Sequence, residues 1–223
     1  MGVLYLVRHG QASFGATDYD QLSDTGRSQC AQLGAWFAAH GITFEAVLTG
    51  TLRRHAQSLE AIEAGLQRRH DVLQWPGLNE YDPQALLLAA HGRLPDAPDS
   101  PEAVKQHFRL LRDGLLHWMQ GRTQPQGMAA YAQFHAGVVG ALDHVRARHA
   151  EGNALIVSSG GPIAMAVGHV LGLQPEAVVE LNLQLRNSAL CELRVSPKRL
   201  TLVSFNTLPH LGGPEHRAWL THA

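Results

Sequence analysis

The sequence predicts an α/β fold, a three-layer α/β/α arrangement with a mostly parallel central sheet and a small helical lid insertion. Short apolar runs that are typical of buried strands alternate along the chain with segments of helical periodicity, which is the pattern of βαβ units. Of the 223 residues, 45% are hydrophobic and 17% are charged, so the chain can fill one sizeable core. The alternation is interrupted at about residues 82–128. We therefore expect residues 1–223 to form a single domain that carries this insertion.

The first part of the chain alternates between predicted strands and helices. An apolar run at residues 3–7 ends at polar residues and predicts a buried strand. Ser23 offers an N-cap, and Cys30, Leu33 and Phe37 follow at helical spacing, so a helix is predicted after Ser23. Residues 44–48 are predicted as a second strand, residues 52–66 as a helix and residues 71–75 as a third strand.

The second part of the chain begins with the predicted lid. Pro and Asp residues are frequent from residue 82 to residue 100. Ser100 as N-cap and Pro101 at the first helical position then start an amphipathic helix. Its apolar stripe is expected to pack or to line a substrate pocket and consists of Val104, Phe108, Leu111, Leu115 and Trp118. The remaining predicted elements are a helix at about residues 129–149, a strand at 154–157, a helix after Gly161, and strands at 189–195 and 200–205.

The composition excludes several functional classes. The formal net charge is −1, so no overall electrostatic field attracts nucleic acid or an anionic membrane. Cys30 and Cys191 form no CxxC motif, which predicts neither a disulfide framework nor a zinc site and favours a reducing compartment. The 14 histidines show no HExxH or comparable metal-ligand spacing. No run approaches the ~18–20 apolar residues that cross a membrane, and no signal peptide is recognised, so we expect a cytoplasmic protein.

Two predicted strand ends carry unusual polar residues. Arg8 and His9 directly follow the first strand, and Ser158 and Ser159 follow the strand at residues 154–157, in front of a Gly-Gly pair. Ligands of open parallel sheets bind at the carboxyl ends of the strands. A neutral histidine there can attack phosphorus, an arginine fork matches phosphate geometry, and glycine N–H groups at a helix start attract anions. Together these residues predict a site for a phosphoryl group.

Several blocks of the sequence, in the same order, resemble the histidine phosphatase superfamily, also called the phosphoglycerate mutase-like proteins. The resemblance covers nearly the whole chain. The blocks are LVRHGQ at residues 6–11, LSDTG at 22–26, GTLRRHAQS at 50–58, LNEYD at 78–82, and Asn187-Ser188. The block at residues 50–58 is similar to the family pattern S-P-L-x-R-A-x-Q-T. Asn187-Ser188 is similar to a late N-x-S element.

The resemblance implies a role for each of four residues. His9 takes up the phosphoryl group, and Arg8 binds it. Arg54, rather than the arginine before it, aligns with the second phosphate-binding arginine of the family. Glu80 protonates the leaving group, with Asp82 as the alternative acid.

Ser159 is the main departure from the family pattern. The family block V-x-H-G-G has a histidine that touches the phosphoryl group, whereas residues 157–161 are VSSGG. Loss of one charge-assisted hydrogen bond costs on the order of 1.5–3 kcal/mol, roughly a ten- to hundred-fold effect on rate, so reduced activity is expected. The Ser159 hydroxyl and the turn at Gly160 are still expected to bind the substrate. Gly15 stands where relatives often have an Asn, and Gln11 and Ser13 are expected to compensate as substrate-binding residues.

The sequence thus predicts a metal-independent phosphomonoesterase, without a cofactor, that hydrolyses a phosphate ester through a phosphohistidine on His9. A small-molecule phosphate ester is the expected partner, with a phosphoprotein as an alternative; nucleic acid and membrane are not expected, and the oligomeric state is not predicted. Two other functions stay open: phosphoryl transfer of the phosphoglycerate mutase type, and a catalytically weak phospholigand-binding or scaffold protein. The histidines expected on helix surfaces are His55, His107, His117, His135 and His144.

Overall fold

The computed structural model describes residues 2–13, 20–96 and 99–222. Its strands are β1 (Gly2–Arg8), β2 (Ala46–Thr49), β3 (Val72–Gln74), β4 (Ala154–Ser158), β5 (Leu190–Val195) and β6 (Leu200–Thr207). Its α-helices are α1 (Asp24–Ala39), α2 (Arg53–Leu66), α3 (Pro83–His91), α4 (Pro101–Met119), α5 (Tyr131–Arg148), α6 (Gly160–Leu171) and α7 (Pro175–Gln184). Short 3-10 helices lie at Pro76–Leu78, Pro209–Leu211 and Pro214–Trp219.

The described strands form one sheet in the order β3-β2-β4-β1-β5-β6. The first four strands of this order are paired in parallel, and β5 is antiparallel to both of its neighbours. The sheet is therefore mostly parallel, as predicted, and within it only β5 runs in the opposite direction. Because parallel strands end at the same edge of a sheet, the carboxyl ends of β1, β2 and β4 lie side by side.

Helices cover both faces of this sheet, which confirms the predicted three-layer arrangement. Along β1, Tyr5 and Val7 belong to one apolar cluster, whereas Leu4 and Leu6 belong to another. The cluster of Tyr5 contains apolar residues of α1 and α2, and the cluster of Leu4 contains apolar residues of α3 to α7. Because neighbouring side chains of a strand point to opposite faces, one strand supports both cores.

The capping residues that the sequence indicates coincide with helix starts. Ser23 is the N-cap of α1, and its Oγ accepts a hydrogen bond from the backbone N–H of Gly26 at 3.1 Å. Ser100 is the N-cap of α4, and its Oγ accepts from the backbone N–H of Ala103 at 3.2 Å. Both predicted N-caps are confirmed, because capping depends on contacts within three residues.

Two features differ from the sequence prediction. β2 begins at Ala46 rather than at residue 44, since Phe44 lies before the strand and contributes its side chain to the core. The apolar character of Phe44 thus reflects burial and not strand pairing. The sequence pattern also does not separate α7 from α6. The C-cap residue of α6 is Gly172, with a φ of +65°, and Pro175 then opens α7.

The segment predicted as an insertion contains α3 and α4. Asp82 caps α3, because its Oδ1 accepts from the backbone N–H groups of Gln84 at 2.8 Å and Ala85 at 3.2 Å. The two helices pack against each other, and α4 also contacts α5 and α7. The action of this segment as a lid stays a prediction. Across the described residues, no helix combines the length and the apolar character needed to cross a membrane.

Candidate active site

His9 stands directly after β1, at the carboxyl edge of the sheet. Its backbone N–H donates to the carbonyl oxygen of Ser158 at 2.8 Å, and its own carbonyl accepts from the backbone N–H of Ser188 at 3.1 Å. His9 is 3% exposed, and its Nδ1 lies 2.7 Å from the carbonyl oxygen of Gly10. Because a carbonyl oxygen only accepts, Nδ1 carries the hydrogen and the ring lone pair is on Nε2. In this tautomer Nε2 has the lone pair that a nucleophile needs.

The surroundings of His9 keep its ring neutral. Burial is the main cause that lowers the pKa of His9 well below its ordinary value, and the charges of Arg8 and Arg54 and the ring of His55 act in the same direction. The hydrogen bond to the carbonyl of Gly10 opposes this effect only in part. A neutral imidazole next to two cations is therefore the stable state at neutral pH.

The two predicted arginines reach this edge from different elements. Arg8 is the last residue of β1, and its Nη1 donates to the carbonyl oxygen of Leu185, the residue directly after α7. Arg54 lies in the first turn of α2 and is 8% exposed, whereas Arg53 beside it is exposed. The helix thus turns Arg54 towards His9, and Arg53 away from the buried edge.

Asp20 holds Arg54 and the start of α2. Its Oδ1 lies 2.8 Å from Nη1 of Arg54, and its carboxylate accepts from the backbone N–H groups of Arg53 at 2.9 Å and Arg54 at 3.4 Å. The N-cap residue of α2, Leu52, makes no side-chain cap, so Asp20 caps this helix from a loop 34 residues earlier than Arg54. Sequence reasoning missed Asp20, because an Asp in a polar loop carries no local signal for such a distant contact.

Glu80 lies partly buried against the start of α6. Its Oε1 accepts from the backbone N–H of Gly161 at 3.1 Å, and a Cβ on residue 161 would lie only 2.3 Å from that oxygen. Burial raises the pKa of Glu80, although the Gly161 N–H and then the charges of Arg54 and Arg8 act against the rise. Asp82, the alternative acid, is exposed and caps α3 instead.

Two hydrogen-bonded contacts fix the backbone immediately before this acid. Ser158, at the end of β4, donates its hydroxyl to the carbonyl oxygen of Leu78 at 2.6 Å. Asn79 accepts from the backbone N–H of Thr51 at 2.6 Å and donates to the Thr51 hydroxyl at 2.7 Å. The segment of Glu80 is thereby tied to β4 and to the loop that leads into α2.

His55 does not lie on a helix surface, and that prediction is wrong. It is fully buried, and its Nε2 lies 2.7 Å from Oγ of Ser159, while its ring centroid is 5.9 Å from that of His9. The first turn of α2 sits at the sheet edge, so the residue after Arg54 points inward. Ser159 is the N-cap residue of α6 but makes no side-chain cap, and Gly160 is the first residue of that helix. The other four histidines predicted on helix surfaces, His107, His117, His135 and His144, are partly exposed on their helices.

The other predicted substrate-binding residues lie in the loop after Gly10. The side-chain oxygen of Gln11 accepts from the hydroxyl of Ser23 at 2.9 Å. The backbone N–H of Ser13 donates to the carbonyl oxygen of Gln21 at 2.8 Å. Gly15 lies outside the described residues. The binding roles of Gln11 and Ser13 stay predictions.

The carboxyl edge brings together a neutral imidazole, two guanidinium groups and a carboxyl group with a raised pKa. Guanidinium groups match the oxygens of a phosphoryl group, and a carboxyl group of this kind can give a proton to a departing oxygen. In the part of the chain that the structure describes, no three His, Cys, Asp or Glu side chains are grouped so as to hold a metal ion. The arrangement suits transfer of a phosphoryl group to His9. The role of each residue in that transfer stays a prediction.

Comparison with known proteins assigns the family. The fold is that of the phosphoglycerate mutase-like α/β proteins. The sequence model of the histidine phosphatase superfamily (branch 1) matches residues 4–208, and the chain belongs to this family. No curated protein matches the chain in sequence.

Solved structures with the same fold include phosphatases and a mutase. The α-ribazole phosphatase from Shigella flexneri is 18% identical, with a TM-score of 0.64, and the match covers 92% of this chain and 96% of that one. Phosphoserine phosphatase from Entamoeba histolytica, solved with 3-phosphoglyceric acid, is 18% identical with a TM-score of 0.64, covering 95% and 100%. The phosphoglycerate mutase from Bacillus anthracis is 16% identical with a TM-score of 0.63, covering 94% of each chain.

Proposed function

We propose that the protein is a phosphomonoesterase that hydrolyses a phosphate ester through a phosphohistidine intermediate on His9. The observation that carries the proposal is the state of the His9 ring. Its Nδ1 is engaged by the carbonyl of Gly10, so a buried Nε2 lone pair is presented next to the charges of Arg8 and Arg54. Family membership supports phosphoryl chemistry at this position.

In the first step, Nε2 of His9 attacks phosphorus in line with the ester oxygen. The N–P bond forms while the P–O bond to the leaving group breaks, and Arg8 and Arg54 balance the charge on the remaining phosphoryl oxygens. Glu80 gives its proton to the departing alkoxide. At the start of α6, Glu80 occupies the N–H of Gly161, Pro162 has no N–H, and the N–H of Ile163 donates to the carbonyl of Ser159. We therefore propose that the N–H of Gly160 binds one of the same phosphoryl oxygens.

In the second step, water attacks phosphorus on the opposite side from Nε2. Ionised Glu80 accepts a proton from this water, the N–P bond breaks, and inorganic phosphate leaves with His9 neutral again. The opposite pKa shifts of His9 and Glu80 support this division of roles, since one group must start neutral as a base and the other protonated as an acid. The two arginines supply the positive charge, so we propose that no metal or cofactor takes part.

We propose a small-molecule phosphate ester as the substrate. Structural relatives are named for phosphoserine and α-ribazole phosphates, which supports this class over a phosphoprotein. The net charge of −1 gives no support to a nucleic-acid or membrane partner. The two cysteines, Cys30 and Cys191, are free and buried, which supports action in the cytoplasm.

Hydrolysis of p-nitrophenyl phosphate by wild-type protein and by His9→Ala tests the proposal. We expect activity in the wild type, loss of at least about a hundred-fold in His9→Ala, and an acid-labile phosphoryl label only on the wild type. The matched control is His70→Ala. It removes a buried imidazole that is bound to Glu63 at the opposite edge of the sheet, before β3. Equal turnover by wild type and His9→Ala would remove His9 from the mechanism.

Phosphoryl transfer of the mutase type is the second candidate, because the fold is shared with a phosphoglycerate mutase. Turnover of 3-phosphoglycerate to 2-phosphoglycerate that depends on a bisphosphoglycerate primer would favour it over hydrolysis. A catalytically weak phospholigand-binding protein, the third candidate, would bind inorganic phosphate without any detectable label on His9.

A further inference from the structure

The candidate site contains a second imidazole that the proposed mechanism does not use. His55 comes from the first turn of α2 and is fully buried. The register of β1 and β4 pairs Val7 with Val157 and Arg8 with Ser158, so the next residues, His9 and Ser159, leave their strands side by side. Val7 and Val157 both face the core formed with α1 and α2. By the alternation of a strand, His9 and Ser159 point to that same face, where His55 lies.

The hydrogen-bond partners of His55 fix the position of its proton. Its Nε2 is 2.7 Å from Oγ of Ser159, whereas its buried Nδ1 has no hydrogen-bond partner among the described residues. Buried N–H groups without an acceptor are rarer in proteins than buried acceptors without a donor. The hydrogen therefore lies on Nε2 and is donated to Ser159.

The hydroxyl hydrogen of Ser159 is then available for another acceptor. Ser159 occupies the N-cap position of α6, yet its side chain makes no capping bond. Its Oγ already accepts from His55, so its O–H can only donate elsewhere. The neighbouring strand end carries His9, whose ring centroid is 5.9 Å from that of His55. A phosphoryl group on Nε2 of His9 would supply the missing acceptor.

We propose that His55 is a positioning residue which, through Ser159, completes the phosphoryl-binding site. Nε2–H of His55 donates to Oγ of Ser159, and the Ser159 hydroxyl donates to a phosphoryl oxygen. This inference rests on the proposed function of His9. It also joins two departures from the family pattern: the resemblance expects Ala at residue 55 and His at residue 159, whereas this chain has His55 and Ser159. Compared with the family pattern, the imidazole of this pair is at residue 55 instead of residue 159.

Two pairs of variants test the proposal. His55→Gln keeps a side-chain N–H near the position of Nε2, whereas His55→Leu has a similar volume and no donor. We expect His55→Leu to lower kcat for p-nitrophenyl phosphate roughly ten-fold, with a smaller effect on KM, and His55→Gln to retain most of the activity. We expect Ser159→Ala to match His55→Leu, and the double variant His55→Leu/Ser159→Ala to lose no more than either, because the two residues act as one unit.

A swap of the two side chains is the second arm. Ser159→His alone introduces a ring where His55 already lies, so it is expected to disturb the site. The double variant His55→Ala/Ser159→His makes room for that ring and is expected to recover activity towards the wild-type level. The matched control, His70→Leu, removes a buried imidazole at the opposite edge and is expected to keep kcat. Thermal unfolding of each variant identifies those that do not fold.

Binding of inorganic phosphate, measured by calorimetry, separates failure of this inference from failure of the proposed function. If wild-type protein turns over no phosphate ester, the proposed function fails, but weaker phosphate binding by folded His55→Leu than by His55→Gln still supports the inference. The inference is overturned if folded His55→Leu equals the wild type in both turnover and phosphate affinity. It is also overturned if His55→Leu and His55→Gln lose turnover and phosphate affinity to the same extent, since the ring would then act only by packing.

Discussion

At the scale of single residues, His9 and Glu80 respond to burial in opposite ways. Burial disfavours the charged form of each group, which lowers the pKa of the imidazole and raises the pKa of the carboxyl group. Arg8 and Arg54 lower both values, so they add to the shift of His9 and oppose the shift of Glu80. One low-dielectric edge of the sheet thus carries a neutral imidazole and a carboxyl group that holds its proton to a higher pH.

The proposed role of Glu80 as the acid predicts that activity depends on the leaving group. An alkyl phosphate releases a basic alkoxide that needs a proton, whereas p-nitrophenyl phosphate releases a stable phenolate. We expect Glu80→Gln to lower kcat/KM for phosphoserine by about 10²–10⁴-fold and for p-nitrophenyl phosphate much less. Steady-state kinetics with both substrates checks this expectation. An equal loss on the two substrates would mean that Glu80 does not act as the acid.

The adjacent pair Arg53 and Arg54 offers a matched comparison. Arg54 is buried beside His9 and bound to Asp20, whereas Arg53 is exposed. We expect Arg54→Ala to lower kcat/KM by about 10²–10³-fold, because a charge that stabilises the transition state in a buried site is lost. Arg53→Ala, the control, is expected to stay within about three-fold of the wild type. Similar losses in both variants would contradict the assignment of Arg54 to the site.

At the scale of elements, the site is built where two strand ends and two helix starts converge. α2 brings Arg54 and His55 in its first turn, β1 ends at Arg8, and β4 ends at Ser158. The start of α6 approaches Glu80 so closely that residue 161 has no room for a side chain. The glycine therefore sets the distance between a helix and the proposed acid.

Gly161→Ala tests this packing. The new methyl group would lie 2.3 Å from Oε1 of Glu80, so we expect the carboxyl group to be displaced and its hydrogen bond to the residue 161 N–H to be lost. Activity on phosphoserine should fall by at least about ten-fold, as expected when a proton donor is misplaced. Gly212→Ala is the control, because its nearest neighbour would be 3.8 Å away. Unchanged kinetics in Gly161→Ala would show that Glu80 is not positioned by this contact.

At the scale of the whole molecule, buried neutral histidines make the fold sensitive to acid. Burial lowers the pKa of His9, lowers that of His55 to about 3 and lowers that of His210 to about 4. Each folded-state pKa lies below the value of the unfolded chain, so the unfolded chain binds more protons at mildly acidic pH. Stability that is fully present above about pH 6.5 is therefore lost as the pH falls.

His210 allows one part of this effect to be measured at a histidine that has no proposed role in binding or catalysis. It is 6% exposed, and its Nε2 lies 2.9 Å from Oγ of Ser188. Between pH 6.5 and pH 4, its titration is expected to remove roughly 3 kcal/mol from the free energy of unfolding. His210→Gln has no titrating group there, so its stability should fall less steeply, as urea unfolding at several pH values would show. Parallel pH profiles for the two proteins would contradict this assignment.

The sequence carries enough local information for much of the fold. The alternation of Leu4 and Leu6 with Tyr5 and Val7 is visible in the chain, and the structure divides these residues between the two cores. Ser23 and Ser100 mark helix starts for the same reason, since a cap and its partner are three residues apart. The order of motifs also indicated the family, which the match over residues 4–208 confirms.

The sequence by itself determined the strands, most helices and the residue types at the carboxyl edge, because periodicity and capping act over a few neighbouring residues. Only the tertiary structure decided that Asp20 caps α2 and binds Arg54, 34 residues later, and that His55 meets Ser159, 104 residues later. Such contacts depend on which helix packs on which strand end. A histidine on an amphipathic helix has the same local pattern whether it faces water or a buried site, so its partner is known only once the layers are assembled.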